Sequence, residues 1–340
     1  MTAQGALGVV IGSAIAPDHV PGAAATAEAS GFDEVWLAED FFFTGGISGA
    51  SFALNATSRV KVGLGVVSAM VRHPALLAME ISTISRVHRD RLTAGIGLGV
   101  PAWVRQMGLY PPSTLAALRE CVTSVKRLLR GETLHQEGRV YSFDRVTLTY
   151  PEVGNPTPIW MGVSGPNMLR LSGEVADGSV LSVAAGHEYV RWAKNRINEG
   201  REQGGRTDDH PITVFGIYSV DEDRDAARAA AKATLAFYEQ HGSNAITDVY
   251  GIAEELNALV AAGGYDALLA GMPDQWVDDL TISGTPEECA ERIAGFYDAG
   301  ADSVALYPVA TDRVDEIIRM TADEVMPHLR LQSEGGGAQA

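Results

Sequence analysis

The chain has 340 residues, 46% of them hydrophobic and 20% charged, with a formal net charge of −17. That is enough apolar material for a large core without disulfides or metals, and too acidic a balance to neutralise nucleic-acid phosphates or to lie on an anionic membrane. Cys121 and Cys289 fall in segments that read as different helices, and no CxxC or Cys/His cluster exists, which argues against a disulfide framework or a zinc site. The first basic residue is Arg59 and no apolar run reaches the ~18 residues of a membrane span, so the expected location is the cytoplasm.

In chain order, residues 6–11 are a short apolar run ended by Gly12 and Ser13, 21–30 an Ala-rich helix, and 33–38 a strand. Val60, Val62, Leu64 and Val66 alternate with Lys61, Gly63 and Gly65, the period of two of a third strand. Pro74 opens a helix, a favourable place for proline, with Leu77, Ile81, Ile84 and Val87 on its apolar face. Residues 92–98 form the fourth strand, and Leu115, Leu118, Val122, Val125 and Leu129 step by three and four along an amphipathic helix. Residues 133–150 break the rhythm and read as a β-hairpin insertion.

The alternation resumes with strands at 159–163, 178–183 and 212–220 and helices at 166–175, 189–203 and 224–240. Residues 241–285 carry seven acids and no Lys or Arg, and include a helix at 252–262; they read as a helical lid. Thr285-Pro-Glu-Glu starts a helix with a Thr cap, an early proline and acids at the positive end of the dipole. A strand at 303–307 and a helix at 314–328 complete the series. Eight strands, each followed by a helix, predict a single α/β domain over residues 1–330, a (β/α)8 TIM barrel, with a disordered Gly-rich tail at 331–340. An open sheet shows the same alternation, but the count of eight favours closure.

Barrel sites lie after the C-terminal ends of strands. After strand two stand Glu39, Asp40 and Phe41–Phe43, suited to a flat ring or, more blandly, to plugging the rim. After strand three, Gly65, Val66 and Val67 allow a close backbone approach to a planar ligand, or mark a bulge. His73, just before Pro74, reads as a cap. After strand four, Gly97, Leu98, Gly99 and Val100 loosely match a dinucleotide fingerprint, which Pro101 interrupts. After strand five, Ser164, Gly165 and Asn167 lead into a helix N-terminus able to receive a phosphate, or into a plain capped helix. No Ser/His/Asp group, P-loop or metal-spaced His set is present, which points to chemistry carried by a cofactor.

Taken together, residues 31–40, 62–74, 91–99, 158–167 and 174–178, with 284–288 and 300–306, resemble the bacterial luciferase-like superfamily. The likeness is nearest the branch of methylenetetrahydromethanopterin reductase and other enzymes that use the deazaflavin coenzyme F420. It runs from about residue 6 to 330. It implies a (β/α)8 barrel with an insertion between strand seven and helix eight, matching 241–285, and a non-proline cis peptide at Gly65–Val66. It also implies a cofactor ring over Gly65, Val66 and Val67 with Asp40 beside it, a lining loop at Leu98, Gly99 and Val100, and a phosphate turn at Ser164, Gly165 and Asn167.

Two positions depart from the family pattern. Phe41 stands where many relatives have His, and Val100 where several F420 enzymes have an acid. The expected activity is hydride transfer between the deazaflavin C5 and a small organic substrate, with a C=N or C=C bond favoured. Glu39 and Tyr110 are the only candidates for proton transfer, and Arg72 and Arg105 would offset the acidic lid near an anionic cofactor. The alternatives are an FMN-dependent monooxygenase using O2 and a non-catalytic flavin-binding homologue, with a nicotinamide dehydrogenase further off. The expected assembly is a homodimer, with no metal, nucleic-acid or membrane partner.

Overall fold

The computed structural model describes residues 5–152 and 154–335. The strands are β1 (Ala6–Ile11), β2 (Glu34–Leu37), β3 (Lys61–Ser68), β4 (Leu92–Gly97), β5 (Leu134–Glu137), β6 (Ser142–Val146), β7 (Ile159–Gly162), β8 (Gly178–Leu181), β9 (Ile212–Val220), β10 (Ile282–Gly284) and β11 (Ser303–Pro308). Eight of them close a parallel barrel in the order β1-β2-β3-β4-β7-β8-β9-β11, with β11 returning to β1. β5 and β6 form the expected antiparallel hairpin. β10 is unforeseen: three residues at the end of the acidic segment hang on the C-terminal end of β9.

The helices are α1 (Val20–Ala29), α2 (Gly46–Ala56), α3 (Pro74–Val87), α4 (Pro101–Gln106), α5 (Thr114–Leu129), α6 (Pro166–Val175), α7 (His187–Gln203) and α8 (Arg224–Glu239). They continue with α9 (Ala245–Val249), α10 (Ala253–Gly271), α11 (Asp274–Leu280), α12 (Pro286–Ala299), α13 (Val314–Met320) and α14 (Met326–Gly335). A π-helical turn at Thr321–Val325 separates the last two. Residues 331–335 are helical where the sequence suggests the start of a disordered tail; 336–340 lie outside the described residues. α10 outruns the expected 252–262 helix and is broken by non-helical backbone at Gly263 and Gly264.

The barrel is filled by side chains. Val10, Trp36, Trp160, Val180, Phe215 and Ala305 form an interior cluster, with Trp36 centred 5.7 Å from Trp160 and 5.5 Å from Phe215. Such aromatic pairs add about 0.5–1.5 kcal/mol beyond the area they bury. Rings this large need strands without side chains opposite them. A Cβ on Gly63 would stand 2.2 Å from Trp36, and one on Gly178 2.5 Å from Trp160. Trp36 is held from below, its Nε1 donating to Glu34 at 2.8 Å, while Ser303 Oγ donates to the same carboxylate at 2.7 Å. Burial pushes that carboxyl above its ordinary range, with the two hydrogen bonds opposing.

Two of the seven acids of the acidic segment are paired from its flanks. Arg228 of α8 and Arg292 of α12 both engage Asp278 of α11, and Lys232 reaches Asp274. Asn244 caps α9 and donates to the buried Glu239 at 2.8 Å. Tyr250 Oη accepts from Glu188 N at 3.1 Å, so the segment rests on the start of α7, at the C-terminal end of the barrel.

On the outer layer, α6 and α7 cross backbone to backbone: a Cβ on Gly200 would lie 1.8 Å from the Arg170 carbonyl oxygen. Gly200→Ala therefore forces the helices apart and is expected to lower unfolding stability by about 1–3 kcal/mol. Urea titration followed by circular dichroism checks this; an unchanged midpoint would show that the helices separate at no cost.

Candidate cofactor site at the barrel mouth

The floor of the mouth is Val66. The pairing of β3 with β4 shifts register between Leu64 and Val67, and the Gly65–Val66 peptide is cis, as the family resemblance implies. The Val66 side chain turns inward over strands that carry no side chain there: Cβ atoms on Gly97 and Gly162 would lie 2.5 and 2.6 Å from it. Val66 thus caps the interior cluster, together with Val183 and Tyr307. Gly65 backs onto Phe215, and Val67 is fully buried. The surface presented at this point is apolar side chain and bare backbone.

The loop after β2 is tied down by Glu39. Its carboxylate accepts from Arg72 Nη1 at 2.6 Å and Nη2 at 2.7 Å and from Gly46 N at 3.0 Å, and its side chain is only 4% exposed. A residue singled out for proton transfer is committed to joining the loops after β2 and β3. The same pair holds Arg72, whose guanidinium is shifted further up by the Glu39 hydrogen bond against the opposing effect of burial. Asp40 accepts from Ser13 Oγ, which follows β1.

Phe41 is buried, whereas Phe42 and Phe43 are 71% and 60% exposed. Trp103 of α4 lies 6.4 Å from Phe41 and 6.1 Å from Phe43, completing an aromatic rim. After β4, the Leu98 carbonyl accepts from Ser68 Oγ at 2.8 Å, Gly99 takes the left-handed conformation with φ +74°, and the exposed Val100 leads into α4. Tyr110, the other proton-transfer candidate, lies beyond α4 with the Arg105 guanidinium 4.0 Å above its ring. His73 is a cap, its Nδ1 accepting from Ala75 N at 3.2 Å.

The turn after β7 is open. Gly165 is the N-cap of α6 with extended backbone and no side-chain cap, Pro166 follows, and a Cβ on Gly165 would meet nothing within 4 Å. The amides of Asn167 and Met168 therefore have no intrahelical acceptor. The Ser164 carbonyl accepts from Tyr189 Oη at 2.6 Å, and Asn167 Oδ1 from Arg170 at 3.3 Å.

The structure thus gathers Asp40, Val66, Leu98–Val100 and the 164–167 turn at the same ends of β2, β3, β4 and β7. Sequence reasoning passed over Ser13, Tyr238 and Tyr307. Ser13 ends the first apolar run and Tyr307 the last, which was their only signal. Among the described residues, no cluster of His, Cys, Asp and Glu is suited to a metal, and no helix is long and apolar enough to cross a membrane.

An apolar floor, an aromatic rim and an uncapped helix start stand around one barrel mouth, the arrangement that the resemblance to the luciferase-like oxidoreductases implies. The chain belongs to the luciferase-like monooxygenase family, whose model matches residues 2–303. It is 29% identical to the 5,10-methylenetetrahydromethanopterin reductase of Archaeoglobus fulgidus over 314 residues, 89% of this chain and 93% of the relative. It is 28% identical to the F420-dependent glucose-6-phosphate dehydrogenase of Nakamurella multipartita, covering 92% and 93% of the two chains. The solved structure of the coenzyme F420-dependent tetrahydromethanopterin reductase of Methanopyrus kandleri shares the fold with a TM-score of 0.84 at 22% identity, over 96% of this chain and 100% of that one.

Arg72→Met leaves the buried Glu39 carboxylate without its cation, which is expected to cost about 3 kcal/mol of stability. Urea unfolding measures it; a loss below about 1 kcal/mol would show that the backbone amides alone, each worth about that much, suffice to hold Glu39.

Proposed function

We propose that the chain is an F420-dependent oxidoreductase acting on a small organic substrate. The observation that carries this reading is the uncapped start of α6 opening on the same mouth as the Val66 floor. Free amides and the positive end of a helix dipole suit a phosphate, so Ser164, Gly165 and Asn167 would receive the phosphate of the cofactor. Gly65, Val66 and Val67 would back its ring, Asp40 would stand at the ring's polar edge, and Leu98, Gly99 and Val100 would line its side. When bound, the deazaflavin supplies a carbon centre, C5, that gives or takes a hydride.

The chain's own contribution is position and dryness. Phe41 and Trp103 shield the floor, and the 241–285 segment covers the end of the barrel near α7. The ion pairs of Asp274 and Asp278 reduce the repulsion that this segment would exert on an anionic cofactor, and salt screens what remains. The curated relatives support the reading, since one of them is named for F420 dependence. A second copy of the chain is the expected partner: Phe52 on α2 and Leu76 and Met79 on the adjoining α3 are exposed.

The second reading is an FMN-dependent monooxygenase. The same floor and turn suit a flavin ring and phosphate, and the apolar Phe41 and Val100 support a reaction that needs no acid at those positions. Titrating the purified apoprotein with F420 and with FMN, followed by tryptophan fluorescence, separates the two, because Trp36 lies beneath the floor and Trp103 at the rim. The expected result is micromolar F420 binding with much weaker FMN binding. A preference for FMN would overturn the deazaflavin reading in favour of the second, and binding of neither would overturn both.

A further inference from the structure

One edge of the mouth carries a polar cluster of which cofactor binding explains only Asp40. Ser13 follows β1, Asp40 follows β2, Tyr238 lies near the end of α8 and Tyr307 stands in β11. Inward positions on β11 alternate: Ser303 bonds Glu34 below, Ala305 belongs to the interior cluster, and Tyr307 lies on top of that cluster at the level of Val66. The Tyr307 ring lies against the bare backbone at the end of β1, where a Cβ on Gly12 would meet its Cε2 at 3.0 Å and its hydroxyl at 3.1 Å. The Tyr238 ring stands edge-on to it, 6.1 Å away between centroids. The Asp40 carboxylate acts on both phenols and is itself held by Ser13.

The other candidates singled out at the rim are placed differently. Phe41 and Val100 are apolar, Glu39 is committed to Arg72, and Tyr110 lies under Arg105. We propose that Tyr307 is the proton donor to the heteroatom of a carbonyl or imine substrate, with Tyr238 and Asp40 as positioning residues. The substrate class is then small, apolar C=O and C=N compounds, held beneath Phe42, Phe43 and Trp103.

The inference rests on the deazaflavin reading for its electrons. A bound reduced deazaflavin would supply the hydride to the substrate carbon, and the π pair would move onto the heteroatom. The heteroatom takes the proton as the Tyr307 Oη–H bond breaks, and the phenolate recovers a proton from water. Burial raises the Tyr307 phenol above its ordinary range, the neighbouring Tyr238 offsets part of this, and the Asp40 charge adds to it; the group stays neutral and keeps its proton to donate.

Tyr307→Phe removes one oxygen and keeps the ring that caps the cluster. The test is infrared spectroscopy of acetophenone, carbon-13 labelled at the carbonyl, bound to the apoprotein. The wild-type complex is expected to show a carbonyl band at lower frequency than the Tyr307→Phe complex, with the variant binding about three- to tenfold more weakly. Equal frequency and affinity in the two proteins, or no acetophenone binding to the wild type, would overturn the proposal. F420 titration of both proteins runs alongside and is expected to give equal affinities. Failure of both to bind F420 with the carbonyl shift intact would remove the deazaflavin reading and leave the carbonyl site standing.

Discussion

The interior of the barrel is too full to be a pore, and everything at its mouth follows from that. Trp36, Trp160 and Phe215 occupy the centre, so the strands opposite carry glycine where any side chain would collide. The same absence of side chains near the C-terminal end lets Val66 fold inward and seal the cluster. A rigid apolar floor results, a few ångströms above a dense aromatic layer, and interiors packed like this do not yield readily. Loops that leave adjacent strand ends are then positioned relative to the floor by the barrel itself.

Two devices fix those loops. The Glu39–Arg72 pair, buried and bidentate, locks the loop after β2 to that after β3. Tyr189 Oη holds the Ser164 carbonyl, which sets the turn before α6 while leaving its amides free. Each pair holds backbone in place at the mouth. The acidic segment draws countercharges for two of its seven acids, Asp274 and Asp278, from α8 and α12.

Much of this was legible in the sequence. Period-two strands and amphipathic helices gave the barrel, and the glycine-rich strand ends marked three sides of the mouth. The helix after strand two has no readable bounds in the sequence, because the buried face of α2 is Gly46, Gly49, Ala50, Ala53 and Leu54: glycine is a poor helix former, and the helix exists because small residues let it settle on Leu37. β10 was missed because three residues carry no period. The role of Glu39 was hidden because its partner is 33 positions away, and nothing local announces the pair. The Ser13, Asp40, Tyr238 and Tyr307 cluster was hidden for the same reason: four strand or helix ends contribute one residue each, and only closure of β11 onto β1 joins them.

In the proposed F420 enzyme one barrel mouth would hold both ring and phosphate of the cofactor, the ring on Val66 and the phosphate at the start of α6. Hydrogen–deuterium exchange of the protein with and without F420 tests it most directly. Slower exchange at the amides of residues 65–67 and at Ser164, Gly165, Asn167 and Met168 is the predicted result. Protection confined to the opposite end of the barrel, around Lys61 and Asp90, would contradict it.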